Sequence, residues 1–275
     1  MSDREPIIKI AEKLADVSGE IIKKYFRQPR IQAETKEGEI SSIVTIADRE
    51  AENAMVEIIL KEAPGDGIIR EEGKDILSQN GRSWVLDPID GTASFVRGLP
   101  IFGTLIGLVE LDSDIPLIGI VNQPILQERW LGIKGKTTLF NQQFIVNSYA
   151  QDSNSTLTEA CLISTTPLIF ITERQKAIAS KFQQICKRTA FGGDCYNYAA
   201  LACGWTAMPA IVLECDLKYY DFCALIPIIE GAGGCISDWS GNKLNRQSTE
   251  VLAASNRALW EQTIEVIKNI ESKLF

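Results

Sequence analysis

An apolar run, Ser83-Trp84-Val85-Leu86, leads directly into Asp87-Pro88-Ile89-Asp90-Gly91-Thr92. The run is apolar enough for a buried strand, and such a strand carries two aspartates to the edge of a core. Pro88 has no amide hydrogen, so Asp87 cannot simply continue a ladder. Asp90 has the chemistry of a helix cap, with Gly91, Thr92 and Ala93 in the first turn of a short helix. In that arrangement Asp87 and Asp90 point to one side and share a hard cation. Amides near Gly91 and Thr92 then face an anion such as a phosphate oxygen. Taken alone, the pair is explained equally well if Asp90 only caps and Asp87 only starts a turn.

Other acids shift that balance. Glu71 and Glu72 follow the strand-like Gly67-Ile68-Ile69-Arg70, and Asp221 opens a helix far along the chain. Clustered carboxylates repel one another and are hard to bury without cations. Carboxylates, water and phosphate oxygens suit magnesium better than zinc. The chain contains no histidine. That removes imidazole-based triads, HExxH zinc sites and histidine phosphoryl transfer. Acid–base chemistry must then come from carboxylates, hydroxyls, lysine, cysteine or metal-bound water.

The 28 basic residues against 36 acidic ones give a net charge of −8. This argues against general binding to nucleic acid or an anionic membrane and is compatible with metal cations. Seven cysteines all follow residue 160, with no CxxC pair. Reduced, packed thiols and a cytoplasmic location fit that pattern better than a disulfide scaffold. No signal peptide is evident, and no apolar run reaches membrane-spanning length.

Apolar spacings of three and four predict a helix over Ile7 to Tyr25 and another over Asp48 to Lys61. Lys36 to Glu39 reads as a polar turn. Thr104–Val109, Leu117–Val121 and Gln127–Ile133 read as a strand meander turning at Asp112-Ser113-Asp114. Beyond a polar seam at 151–156 come a strand at Leu162–Ser164 and helices at Glu173–Lys187 and Asn197–Cys203. A strand at Ala210–Leu213 follows. Phe222–Glu230 reads as a helix ending at Gly231 and kinked at Pro227, with a return strand over Gly233–Ser237. Helices and strands without a regular βαβ rhythm indicate a layered α/β or α+β fold.

Three segments together resemble the inositol monophosphatase-like superfamily of magnesium-dependent phosphatases. They are Glu71-Glu72, the run Trp84 to Phe95, and Tyr220-Asp221 through Glu230-Gly231-Ala232-Gly233-Gly234. The third departs from the family in having Tyr220 where tryptophan is usual. Asn122 to Trp130, Gly193-Asp194-Cys195-Tyr196-Asn197-Tyr198 and Tyr220 to Gly231 are similar to the histidinol-phosphate phosphatases of that superfamily. Gly204 to Glu214 departs from the subgroup by an apparent insertion.

The resemblance implies an α+β, layered αβαβα fold forming one phosphatase domain over residues 1–275. An N-terminal half (1–150) would carry the main metal motif. A C-terminal half (151–275) would carry the pocket loops and the last metal ligand, with the metal site between the two. It implies two or three magnesium ions held by Glu71, Glu72, Asp87, Asp90, Asp221 and the Ile89 carbonyl. Metal-bound water would attack a phosphate monoester. Thr92, paired with Asp48 and aided by Glu71, would orient that water, and the Gly91 and Thr92 amides would bind phosphate. Asp194, Glu214 and Asp221 would receive a cationic amino-alcohol substrate, which favours histidinol phosphate over inositol phosphate. A small phosphorylated substrate and a homodimer complete the expectation, with no nucleic-acid or membrane partner.

Each assignment has a plainer rival. Asp48 and Asp221 would serve as helix caps, Glu72 as a solvated turn residue, and Asp194 and Glu214 as surface acids. Cys195 reads as packing rather than nucleophile. Tyr196 and Trp205 either line the pocket or pack in the core. At the level of function the rivals are an inositol or broad sugar-phosphate phosphatase and a catalytically inactive phosphatase-like regulator.

Overall fold

A computed structural model describes residues 5–29, 33–35 and 43–274. The Lys36–Glu39 turn lies outside the described residues. The N-terminal elements are α1 (Glu5–Tyr25), β1 (Ala33–Thr35), β2 (Ile43–Thr45), α2 (Ile46–Glu62), β3 (Gly67–Arg70), β4 (Arg82–Asp90) and α3 (Thr92–Val96). Then come β5 (Gly103–Glu110), β6 (Ile115–Gln123), β7 (Glu128–Ile133), β8 (Leu139–Phe140) and β9 (Gln143–Phe144). The remainder holds β10 (Cys161–Ser164), α4 (Glu173–Ile185), β11 (Arg188–Phe191), α5 (Asp194–Cys203) and β12 (Ala210–Glu214). It closes with α6 (Tyr219–Phe222), α7 (Leu225–Gly231), β13 (Cys235–Ser237), β14 (Val251–Ala254) and α8 (Arg257–Leu274).

Strands β3 to β9 form a seven-stranded sheet in chain order, parallel only between β3 and β4. The second sheet has five strands in the order β11-β10-β12-β14-β13. Period-two alternation explains the layers. Trp84, Leu86, Ile106, Leu108, Ile118 and Ile120 face α1 and α2 and pack against Leu14, Met55 and Ile59. Val85, Leu105 and Val121 point the other way, into a core shared with α5, α6, α7 and the second sheet. Ile211, Leu213 and Leu252 on the far face of that second sheet pack against α4 and α8 through Phe182, Leu259 and Ile267. The result is an α+β fold layered αβαβα. All seven cysteines are free. Among the described residues no helix is long and apolar enough to cross a membrane.

A row of glycines lets the middle helices sit close to the larger sheet. Gly107, Gly119 and Gly132 stand in register across β5, β6 and β7. A Cβ on Gly107 would lie 2.9 Å from the Cys223 Sγ. On Gly119 it would overlap the Ala224 carbonyl oxygen, and on Gly132 the Ile228 amide nitrogen. Glycine in these strands thus permits backbone-to-backbone approach, as an isolated strand glycine often does.

Two local expectations are corrected. The helix expected over Phe222–Glu230 is two helices, α6 and α7, broken at Cys223-Ala224. Cys223 and Ala224 keep right-handed helical backbone, and Cys223 stands four residues before Pro227, whose nitrogen has no hydrogen to donate to that carbonyl; the interruption therefore falls where the disruption expected of Pro227 belongs. Helix α2 starts at Ile46 because Thr45 caps it; Asp48 is the N3 residue of a capping box and not the cap itself.

Candidate active site

Alternation along β4 puts Asp87 on the same face as Val85, toward the middle helices. The ladder with β5 slips between Asp87 and Asp90, where Pro88 interrupts it. That bulge turns Asp90 toward the same space. Asp221 enters from α6, which packs against β4 and β5. One ligand oxygen from each of Asp87, Asp90 and Asp221 lies within 4.8 Å of the others. Residues distant in sequence thus form one carboxylate group.

The group is electrostatically costly on its own. Burial, then the neighbouring Glu71, Asp90 and Asp221, hold Asp87 well above the ordinary carboxylate range. Burial, then Asp194 and Asp221, do the same to Asp90. Asp87 is 2% exposed, and its Oδ1 has no hydrogen-bond partner. A buried acceptor of that kind, inside an all-oxygen donor set, fits a hard divalent cation such as magnesium. Glu71 lies close enough to hydrogen-bond to Asp87. Glu71 and Glu72 are both outside the three-carboxylate group; the Glu72 amide donates to Glu52 Oε1 at 2.9 Å.

Asp90 does not cap α3. Gly91 occupies that position, with φ of 90°, a conformation that favours glycine. Asp90 Oδ2 instead accepts from the Cys195 amide at 2.5 Å, so the start of α5 anchors it. A side chain at Gly91 would also meet Asp194 Oδ2 at 2.8 Å. Asp221, like Asp48, is the N3 residue of its helix and not the cap itself: its Oδ2 accepts from the amide of Lys218, the N-cap, at 2.6 Å.

Asp48 likewise serves two ends. Its Oδ2 accepts from the Thr45 amide at 2.8 Å and hydroxyl at 2.5 Å. Its Oδ1 stands 3.3 Å from the Thr92 hydroxyl, which also donates to the Ile89 carbonyl at 2.9 Å. Burial raises Asp48 to about 6 against the opposing Thr45 hydrogen bonds.

Asp194 and Glu214 are not surface acids. Both line a cavity of about 170 Å³ together with Asp90, Asp221, Thr165 and Tyr198. Asp194 adopts φ of 42° at the start of α5, and Glu214 Oε1 accepts from the Thr165 amide at 2.5 Å. Burial pushes Asp194 up to about 6 and Glu214 up to about 8. Cys195 is buried and its thiol is driven well above its ordinary range, first by burial and then by Asp90, which suits packing and not nucleophilic attack. Tyr196 and Trp205 belong to an aromatic cluster around Trp130, with ring centroids 5.8 and 5.7 Å away. Neither lines the cavity. The inserted segment forms the αL end of α5 at Gly204 and then β12. A larger groove of about 410 Å³ between α1 and β6–β8 holds none of the carboxylates of this site.

Two residues of the site carry no signal in the sequence, Thr165 and Glu52, and Tyr198 is marked only as the end of the Gly193–Tyr198 motif. The Tyr198 hydroxyl is buried without a hydrogen-bond partner.

The raised carboxylates have a consequence for stability. A folded value above the ordinary one means that folding favours the protonated acid. The stability carried by Asp194 and Glu214 is complete below about pH 4 and is lost as pH rises through about 6 and about 8 respectively. Asp87 and Asp90 shift in the same sense. Metal-free protein is therefore expected to melt at progressively lower temperature between about pH 5 and pH 8, and magnesium to reverse the loss. Thermal melts with and without magnesium check this; a metal-free Tm that climbs over that interval would contradict it.

The family model for the inositol monophosphatase family matches residues 3–272. The chloroplastic bifunctional phosphatase IMPL2 of Arabidopsis thaliana is 40% identical over 269 residues, covering 94% of this chain and 74% of that protein. A histidinol-phosphatase from Chlorobaculum parvum is 32% identical over 272 residues, covering 97% and 98%. A solved structure of an inositol monophosphatase from Zymomonas mobilis superposes with a TM-score of 0.83 at 41% identity, covering 98% of this chain and all of that one.

Proposed function

This chain belongs to the inositol monophosphatase family, and we propose that within it the chain hydrolyses L-histidinol phosphate to L-histidinol in histidine biosynthesis. One observation carries the substrate reading. Two acids, the buried Glu214 and the half-buried Asp194, line the same cavity as Asp90 and Asp221. Bound magnesium and a cationic substrate would lower the raised protonation ranges of Asp194 and Glu214, and the ionised acidic wall is then complementary to an amino alcohol that bears an amine and an imidazole. A neutral polyol gains nothing from that charge. Two relatives, histidinol-phosphatases at 32% and 29% identity, support the same choice.

In this reading Glu71, Asp87, Asp90, Asp221 and the Ile89 carbonyl hold two or three magnesium ions, and Glu72 holds a further water or ion. Bound magnesium supplies the positive charge that offsets the phosphate oxygens and makes a water nucleophilic near neutral pH. The Gly91 and Thr92 amides bind the phosphate, and the absence of a side chain at Gly91 permits close approach. Thr92 orients the attacking water through its hydroxyl, and Asp48 holds that hydroxyl in place. Water and the phosphate monoester give inorganic phosphate and the alcohol. A homodimeric, cytoplasmic enzyme is part of the same proposal.

A second reading has support in the name of another relative, the fructose-1,6-bisphosphatase/inositol-1-monophosphatase of Thermotoga maritima, 29% identical over 245 residues. A magnesium-dependent panel of histidinol phosphate, inositol phosphate and sugar phosphates separates the two. Histidinol phosphate is expected to have the highest kcat/KM. Glu214→Gln should lower that value by roughly ten- to a hundredfold, the scale of a lost charged hydrogen bond, and leave inositol phosphate turnover nearly unchanged. If inositol phosphate wins by a wide margin, the histidinol-phosphate reading is wrong. If no panel member releases phosphate, the inactive regulator gains.

A further inference from the structure

Helix α2 carries two buried carboxylates one turn apart, Asp48 and Glu52. Residues four apart on a helix share a face. Asp48 serves Thr92, whereas Glu52 has no role in the reaction described above. It is 1% exposed, and both of its oxygens are engaged. Oε1 accepts from the Glu72 amide at 2.9 Å. Oε2 accepts from Arg70 Nε at 2.9 Å and pairs with Nη2 at 2.7 Å. Arg70 is held further by Asn53 Oδ1, 3.0 Å from Nη2, and by Asp75 Oδ1, 3.0 Å from its amide. A side chain on Gly73 would collide with this guanidinium, so glycine leaves the room it occupies.

The residue between Arg70 and Glu72 is Glu71. One carboxylate from α2 therefore grips the chain on both sides of it. From behind, the Glu71 amide donates to the Leu86 carbonyl of β4 at 3.3 Å. A buried ion pair is weak evidence for net stability, because desolvation offsets the attraction. Its geometric effect is firmer, since two hydrogen bonds and an ion pair converge on one side chain.

We propose that Glu52 is a positioning residue: by holding Arg70 and the Glu72 amide, it fixes the direction in which Glu71 presents its carboxylate to the cation site. The proposal rests on the reading of Glu71 as a magnesium ligand. Together with Asp48, it makes one face of α2 the common support for the Glu71 turn and the Thr92 turn.

The test is calorimetric titration of magnesium into metal-stripped, full-length protein, with Tm and kcat measured in parallel. Glu52→Leu combined with Arg70→Met replaces the pair by apolar side chains and leaves no stranded charge. Its magnesium affinity is expected to fall by roughly tenfold or more, as for removal of an outer-shell partner. Saturating magnesium should recover much of kcat. Glu52→Asp keeps the charge but shortens the reach, and should weaken magnesium severalfold even if the double variant does not fold. A lowered Tm with unchanged magnesium affinity in these variants would make Glu52 merely structural and overturn the proposal. Glu71→Gln is the control. If it binds magnesium weakly while the Glu52 variants bind normally, only the positioning role falls. If it binds normally, the ligand reading falls and the proposal falls with it.

Discussion

Asp90→Asn is expected to reduce magnesium-dependent kcat/KM by about a thousandfold or more, since several kcal/mol of cation-derived stabilisation is at stake. The fold should survive. Asparagine keeps a side-chain carbonyl, so the Cys195 amide that donates to Asp90 Oδ2 retains an acceptor. The charge is what disappears. Without metal, desolvation and then the neighbouring Asp194 and Asp221 raise the protonation range of the half-buried Asp90. Removing one member of a mutually repelling group relieves that cost. Metal-free Asp90→Asn should therefore melt at a higher temperature than metal-free wild type near neutral pH, while gaining less from added magnesium. Opposite signs for activity and metal-free stability distinguish loss of a cation site from general damage. Near-normal turnover with a native circular-dichroism spectrum would refute the assignment of Asp90.

The paired effects also explain why parts of this site were visible in the chain and others were not. Acids placed just beyond apolar runs, Glu71 after β3 and Asp87 after Leu86, mark carboxylates carried to the edge of a core. Short-range pattern suffices for that, as it does for α1 and the β5–β7 meander. The expectation that Asp90 caps α3 fails because its partner is the Cys195 amide of α5, 105 residues away. Local spacing carries no information about such a pairing. Thr45 was a different kind of miss. Thr45-Ile46-Ala47-Asp48 has the spacing of a capping box, with aspartate in the place of glutamate or glutamine. In the sequence nothing sets Glu52 apart from the other charges between Asp48 and Lys61. Its burial follows only from the approach of Arg70 and the 70–72 turn. Trp205 and Tyr196 were ambiguous for the reason aromatics usually are: a large ring suits a pocket wall and a packing cluster equally. Tyr196 packs edge-on against Trp130, whereas Trp205 lies against Trp130 and Phe140 at the protein surface, 48% exposed, and so belongs to neither the cavity nor the core.

Gly119→Ala tests how the fold sets the depth of the site. The added methyl would overlap the carbonyl oxygen of Ala224, a backbone atom in the break between α6 and α7. A flexible side chain could swing aside, but here the helix pair itself must lift from β6. Overpacking a core costs about 1–3 kcal/mol, and a clash with backbone belongs at or above the upper end. The expected loss is about 3 kcal/mol, or on the order of 10 °C in Tm for a chain of this size. Gly107→Ala supplies the contrast. Its methyl meets the Cys223 Sγ at 2.9 Å, a side-chain atom. Cys223→Ala in the same chain should restore much of the lost stability, because the total volume is nearly conserved. No side-chain truncation removes the Ala224 carbonyl, so the Gly119 variant should resist such rescue. Function should follow. Asp221 lies two residues before Cys223 and three before Ala224, so lifting this segment moves it away from Asp87 and Asp90. Any folded Gly119→Ala protein is therefore expected to bind magnesium more weakly than wild type. A variant with wild-type Tm and wild-type magnesium affinity would mean that the glycine row does not seat these helices, and the link from sheet to cation site would have to be sought elsewhere in α6.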